Sequence, residues 1–180
     1  MLFRSHWYVS DDFAASSRVH QRHPDKPILF TEGCWEGGDK IGDWSHGEGY
    51  ARQMMGDFRN WVAGFIDWNI VLDQRGGPNH VGNFCDSPVI VDTRTQEVRY
   101  SAAFHYIGHF SRFVLPGARR IASSGGPDGL DSIAFRNPDG SLVAVVMNRT
   151  DSAVAFALQA GDSLACSIPA HAIQTYVRRP

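Results

Sequence analysis

Apolar residues follow two rhythms along this chain, and the change falls near Pro116. Before it, short apolar runs alternate with stretches of helical spacing. "LFRSHWY" opens with a run read as a strand over about residues 3–8, "ILFTE" is a strand over 28–32, and "VAGFIDWN" carries a third over 63–69. Pro27 at the mouth of the second run fits a strand start, and its unbroken apolar core fits burial on both faces. Ser10-Asp11-Asp12 predicts a helix start with a capping serine and acids in the first turn. That helix should run to about His23 and stop before Pro24. Ser45-His46-Gly47-Glu48 has capping-box spacing. Behind it Tyr50, Met54, Phe58 and Trp61 fall near one helical face, a core-facing stripe. Strands alternating with helices predict βαβ units and a parallel sheet.

"DQRGGPN" over 73–79 is turn chemistry, and "SPVIVDTRTQEVRY" over 87–100 reads as a hairpin of two short strands. "SAAFHYIGHFSRFV" then places Phe104, Ile107, Phe110, Ser111 and Val114 at near-helical spacing, ended by Pro116. From Arg119 the period becomes two. "RRIASS", "LDSIAFRN", "SLVAVVMNR", "AVAFALQA" and "AIQTYVRR" predict strands, separated by "GGPDG", "NPDG", "RTDS" and "AGDS". Asn137-Pro138-Asp139-Gly140 is a strong hairpin turn. Strands recurring every ten residues or so predict an antiparallel sandwich. We expect a boundary at "VLPGA", with residues 1–116 forming an α/β part and 117–180 an all-β part.

Composition narrows the functions. The chain has 180 residues, 43% of them hydrophobic, and a net charge of −2. That supports a sizeable core and argues against a nucleic-acid or polybasic membrane surface. No apolar run nears the roughly 20 residues of a membrane helix, and "LFRSHWY" lacks the apolar core of a secretion signal. Cys34, Cys85 and Cys166 are odd in number and widely spread, so they form neither a disulfide framework nor a CxxC metal motif. They read as ordinary half-buried thiols.

The three strands of the first part end in His6-Trp7-Tyr8, Thr31-Glu32 and Asp67-Trp68-Asn69. Each turns polar or aromatic at its C-terminal end, the end that carries the active site in (β/α)₈ barrels. The stretches "HWY", "LFTEGC", "GFIDWNIVLDQRGGPNHVGNFCDSPVIVD" and "FHYIGHFSRFVLPGARRI" resemble glycoside hydrolase family 30, in its glucosylceramidase-like branch. The resemblance runs through essentially the whole chain, in order. It implies the last three βα units of a (β/α)₈ barrel, strands 6–8, followed by the C-terminal β-sandwich domain. It implies that Glu32 is the catalytic nucleophile of a retaining β-glycosidase, attacking the anomeric carbon to form a glycosyl-enzyme. Tyr8 would hydrogen-bond that carboxylate, Trp7 and Trp68 would wall the sugar site, and Asn83 would lie beside it. His6 and Asp67 flank these positions, as sugar-binding groups or as groups that orient the loops. Asn69 and Asp86 read as loop-holding groups. The substrate would be a carbohydrate or glycolipid, a β-glucoside of the glucosylceramide type, with no metal or organic cofactor.

The family pattern is not fully met. Retaining glycosidases need two carboxyl groups about 5–5.5 Å apart, the second an acid/base of raised pKa. The family's Asn-Glu-Pro context for that residue does not occur here. Glu36, Glu48, Asp67, Asp73 and Asp86 are the local acids, and none stands in the expected context. We therefore expect a piece of a longer protein, partnered by an N-terminal barrel portion and inactive alone. A β-1,6-glucanase, a xylanase or a non-catalytic carbohydrate-binding module are the other readings. The family suggests a secreted or extracytoplasmic protein, and Asn148-Arg149-Thr150 is a glycosylation sequon.

Overall fold

The computed structural model describes residues 1–124 and 126–180; Gly125, within the predicted turn "GGPDG", lies outside the described residues. The chain divides into two compact units, Met1–His105 and Tyr106–Pro180.

The first unit is built on a three-stranded parallel sheet of β1 (Phe3–His6), β2 (Ile28–Glu32) and β3 (Val62–Phe65), in that spatial order. Helices α1 (Ala14–Arg22) and α2 (Trp44–Arg59) make the crossovers. This is the βαβαβ arrangement of consecutive barrel units. Ile28, Phe30 and Val62 are buried in the sheet, with Phe3, Trp7, Val19 and Phe65 packed against them. The predicted alternation of strands and helices is present, but several boundaries moved. β1 stops at His6, where its register against β2 shifts between Ser5 and His6. Ser10 does not cap α1: its hydroxyl accepts from the Asp12 amide at 3.4 Å, and the helix starts at Ala14 with no side-chain cap. α2 is capped by Asp43, whose side chain accepts from the Ser45 amide at 3.1 Å, so Ser45 lies inside the helix. Tyr50 and Met54 are buried as the stripe predicts, but Trp61 lies beyond the helix end with φ of 72°. It is exposed and stacks on His20 at 3.9 Å.

A second sheet of this unit joins β4 (Val71–Asp73), β5 (Val89–Asp92) and β6 (Glu97–Tyr100). β5 and β6 are the predicted antiparallel hairpin, its turn held by Asp92, which accepts from the amides of Arg94 and Thr95. β4 was not anticipated. It is three residues long and pairs parallel with β5, a connection that local patterning does not reveal. Helix α3 (Ala102–Ser111) matches the predicted helix and stops short of Val114.

The second unit holds a four-stranded antiparallel sheet of β12 (Ala172–Arg178), β9 (Leu142–Asn148), β8 (Leu130–Arg136) and β7 (Arg119–Ile121), in that order, and a two-stranded ribbon of β10 (Val154–Ala160) and β11 (Asp162–Ile168). Ile133, Val146, Phe156, Leu158, Leu164 and Tyr176 from both sheets line one apolar cleft. Phe156 meets Tyr176 edge-on at 6.0 Å. This is the predicted β-sandwich. The overlooked strand is β11. Within it only Ile168 is buried, so the two-residue alternation that marks a half-buried strand is missing. The sequon asparagine is also accounted for. Asn148 is fully buried, and its Nδ2 donates to the carbonyls of Ser152 and Pro169, both at 2.8 Å.

Candidate active site

Parallel strands carry their C-terminal ends to one edge, so β1, β2 and β3 bring His6, Glu32 and Phe65 with the residues that follow onto a common rim. Glu32 closes the central strand, half-buried, with His6 as its register partner on β1. His6 Nε2 lies 3.2 Å from Thr31 Oγ1, which ties the two strand ends together. Gly33 follows because nothing larger fits. A Cβ there would lie 2.6 Å from Phe30 Cζ and 3.0 Å from Trp7 Cε2.

Tyr8 stands beside Glu32. Burial, then Cys34, then the charge and hydrogen bonding of Glu32 push its phenol well above the usual tyrosine range. Its hydroxyl is 3.9 Å from Cys34 Sγ. The phenol is thus neutral at any ordinary pH, a fixed donor for a neighbouring anion. Trp68 is half-exposed on the rim. Its backbone is anchored twice, the amide donating to Gly33 O at 3.2 Å and to Asp67 Oδ1 at 3.0 Å. Trp7, expected to wall the site, is half-buried in an aromatic cluster. It lies 5.9 Å from Phe30, 5.4 Å from Trp35 and 5.0 Å from Tyr50 between ring centroids. It forms the floor beneath the rim rather than an open face.

Asp67 turns inward. Its Oδ1 accepts from the Tyr50 hydroxyl at 3.0 Å, and its Oδ2 is buried with no hydrogen-bond partner among the described residues. Burial pushes it up to about 7, opposed by the Tyr50 and Trp68 hydrogen bonds and assisted by the nearby Asp86 charge. Asp86 is itself buried and raised for the same first reason. It lies near His46, which stacks on Trp35 at 4.8 Å.

Asn83 is exposed in a cleft that it lines with Glu36, Arg75 and Phe84 above Gly37 and Gly38. Two loops form this cleft, and backbone bonds stitch them together. Gly37 and Gly38 amides donate to Phe84 O, the Asp86 amide donates to Trp35 O at 2.7 Å, and Glu36 bridges Cys85. Asn69 is half-buried just past Trp68. Sequence reasoning did not anticipate the roles of Tyr50, Trp35 or His46. Tyr50 looked like any member of an apolar stripe, and its partner lies 17 positions away. Among the described residues no group of three or more His, Cys, Asp or Glu could hold a metal ion, and no helix is long and apolar enough to cross a membrane.

The arrangement offers one half-buried carboxylate at a strand end, a neutral phenol against it and an exposed indole nearby. Residues 3–114 match the glycosyl hydrolase family 30 TIM-barrel domain, and residues 117–176 match the family's beta sandwich domain. Lysosomal acid glucosylceramidase of Mus musculus is 35% identical over 97% of this chain and 36% of its own length. Putative glucosylceramidase 4 of Caenorhabditis elegans is 37% identical over 81% of this chain and 30% of its own. Among solved structures, SrfJ from Salmonella typhimurium superposes with a TM-score of 0.92 at 37% identity, covering 98% of this chain and 40% of that one. The endo-beta1,6-glucanase BT3312 gives a TM-score of 0.88 at 27% identity. The chain spans about a third of the length of these curated relatives. It belongs to glycosyl hydrolase family 30.

Proposed function

We propose that this chain carries the nucleophile half of a retaining β-glycosidase acting on β-glucosides of the glucosylceramide type. The supporting observation is the placement of Glu32 at the end of the central parallel strand, with the Tyr8 phenol against it. In this reading Glu32 attacks the anomeric carbon, the glycosidic bond breaks, and a glycosyl ester forms that water later hydrolyses. Tyr8 donates to the carboxylate and holds it oriented. Trp68 packs against the flat C–H face of the sugar, and Asn83 hydrogen-bonds a hydroxyl. Trp7 supports this surface from beneath, while Asp67 and His6 hold the strand ends in register. The preference for glucosylceramide-type substrates rests on the glucosylceramidases among the relatives. Endo-1,6-beta-D-glucanase BGN16.3 of Trichoderma harzianum matches over the same span at 24% identity, which keeps β-1,6-glucan as the second candidate.

The first half-reaction needs a proton for the leaving group. Asp67 is a second carboxyl near this rim, but its Oδ1 is committed to Tyr50 and Trp68 and its Oδ2 is buried. We therefore propose that the 180-residue chain alone does not turn over ordinary glucosides. The test uses a substrate whose leaving group needs no proton. A 2-deoxy-2-fluoro-β-glucosyl fluoride should esterify Glu32, seen as one fluoroglucosyl mass on its peptide, and the Glu32→Gln variant should stay unlabelled. Failure to label, with β-glucoside binding retained, would favour a non-catalytic carbohydrate-binding module.

A further inference from the structure

Two of the three thiols face each other. Cys34 Sγ and Cys85 Sγ are 3.0 Å apart, both side chains are buried, and 51 positions separate them in the chain. They share an apolar cluster with Leu72 and Ile90, and both are free thiols. Their backbones are already held together. Cys85 pairs with Glu36, and the Cys85 amide donates to Gly76 O at 3.0 Å. Gly76, with φ of 83°, accepts this approach only because it lacks a side chain: a Cβ would fall 2.2 Å from Cys85 O. A disulfide bond measures about 2.05 Å, so closure asks for a movement of roughly 1 Å at the sulfurs.

We propose that Cys34 and Cys85 are a dithiol that oxidises to a disulfide, locking the loop after Glu32 to the loop that carries Asn83. With hydrogen peroxide as oxidant, the two S–H bonds and the O–O bond break and one S–S bond forms. Both hydrogens and both electrons end in two water molecules. Burial pushes Cys34 up to about 12, aided by Cys85. Little thiolate is present at neutral pH, so closure of the native dithiol is slow. Cys166 is outside this pair; its thiol contacts Leu164 O at 3.5 Å. The consequence for the rim follows from Tyr8. Its hydroxyl touches Cys34 Sγ and is acted on by Glu32 as well. Closing the disulfide removes the Cys34 S–H as a donor and leaves its sulfur only a weak acceptor, so Glu32 becomes the stronger partner of that phenol. This last consequence rests on the nucleophile reading; the crosslink does not.

The experiment treats the reduced full chain with hydrogen peroxide, alkylates the remaining thiols and maps the peptides by mass. The expected product has lost two hydrogens, links the Cys34 and Cys85 peptides, and alkylates only at Cys166. A Cys166→Ser variant should form the same link. Three alkylated thiols after oxidation, a link to Cys166, or a link only between two chains would overturn the proposal. Because the map is independent of glycosidase labelling, a chain that crosslinks and binds β-glucosides yet fails to label with the fluoroglucoside counts against the nucleophile and leaves the redox pair standing.

Discussion

Tyr50 donates its hydroxyl hydrogen to Asp67 Oδ1 across 3.0 Å, joining the buried face of α2 to the end of β3. The same oxygen accepts the Trp68 amide, so one carboxyl oxygen fixes both a helix and the exposed indole. Tyr50 is fully buried, and its phenol is raised by burial and then by the Asp67 charge. A buried acceptor that loses its donor costs about 1–3 kcal/mol. Tyr50→Phe should therefore lower unfolding free energy by about that amount with almost no change in packed volume. Urea denaturation of both chains measures it. A loss below about 0.5 kcal/mol would mean that the hydroxyl does not hold Asp67.

Asp67 also predicts how stability depends on pH. Its carboxyl is raised from 3.8 to about 7, chiefly by burial. A group raised on folding binds its proton more tightly in the native state. Its contribution is complete below about pH 4 and is lost as pH climbs to about 7. Asp57, raised to about 6 by burial, acts in the same direction. Asn at position 67 keeps an acceptor for Tyr50 and cannot ionise. The difference in unfolding free energy, Asp67→Asn minus wild type, should grow by about 2 kcal/mol or more between pH 4 and pH 8. Denaturation curves at the two pH values decide it. An unchanged difference would show that Asp67 titrates like an exposed acid.

Much of this was legible from sequence and some could not be. Pro27 and the unbroken apolar run of Ile28 to Phe30 marked the central strand, in which Ile28 and Phe30 are buried and Leu29 is half-buried. Glu32 stood out because a carboxylate at the end of such a run needs a reason. Boundaries slipped where a capping oxygen had competitors, as when Asp43 rather than Ser45 capped α2. Three-residue β4 and polar β11 were invisible for a different reason. Their pairing is decided by strands elsewhere in the chain, not by their own periodicity. The same holds for Cys34 and Cys85, whose spacing matches no local motif and whose contact exists only after folding.

The rim tryptophan and the one beneath it should separate binding from stability. Trp68 is 52% exposed, whereas Trp7 packs against Phe30, Trp35 and Tyr50. Trp68→Ala should leave the unfolding midpoint nearly unchanged and, on the proposed glycosidase reading, weaken β-glucoside binding roughly tenfold, an aromatic contact of about 1–2 kcal/mol. Trp7→Ala should cost about 3 kcal/mol or more of stability, as large-to-small changes in packed aromatic clusters do. Paired calorimetry of unfolding and of glucoside binding tests both. Equal stability losses in the two variants would contradict the floor-and-face division.

Asn148 supplies the last prediction, and here a sequence motif and the fold disagree. The Asn148-Arg149-Thr150 triplet offers a glycan acceptor, but the acceptor nitrogen is buried and donates to the carbonyls of Ser152 and Pro169. Its Oδ1 accepts from the Thr150 amide at 3.0 Å and hydroxyl at 2.8 Å. The side chain thus pins the β9–β10 turn to the end of β11, and a sugar on Nδ2 would replace one of its two hydrogens and break at least one of these donations. Folded protein made in a glycosylating host should have no mass increment at Asn148. Asn148→Ala should lose about 2–3 kcal/mol of stability, since it strands several buried backbone groups at once. Intact-mass analysis and thermal unfolding check the two halves. A glycan found on folded chains would show that this amide does not hold the turn.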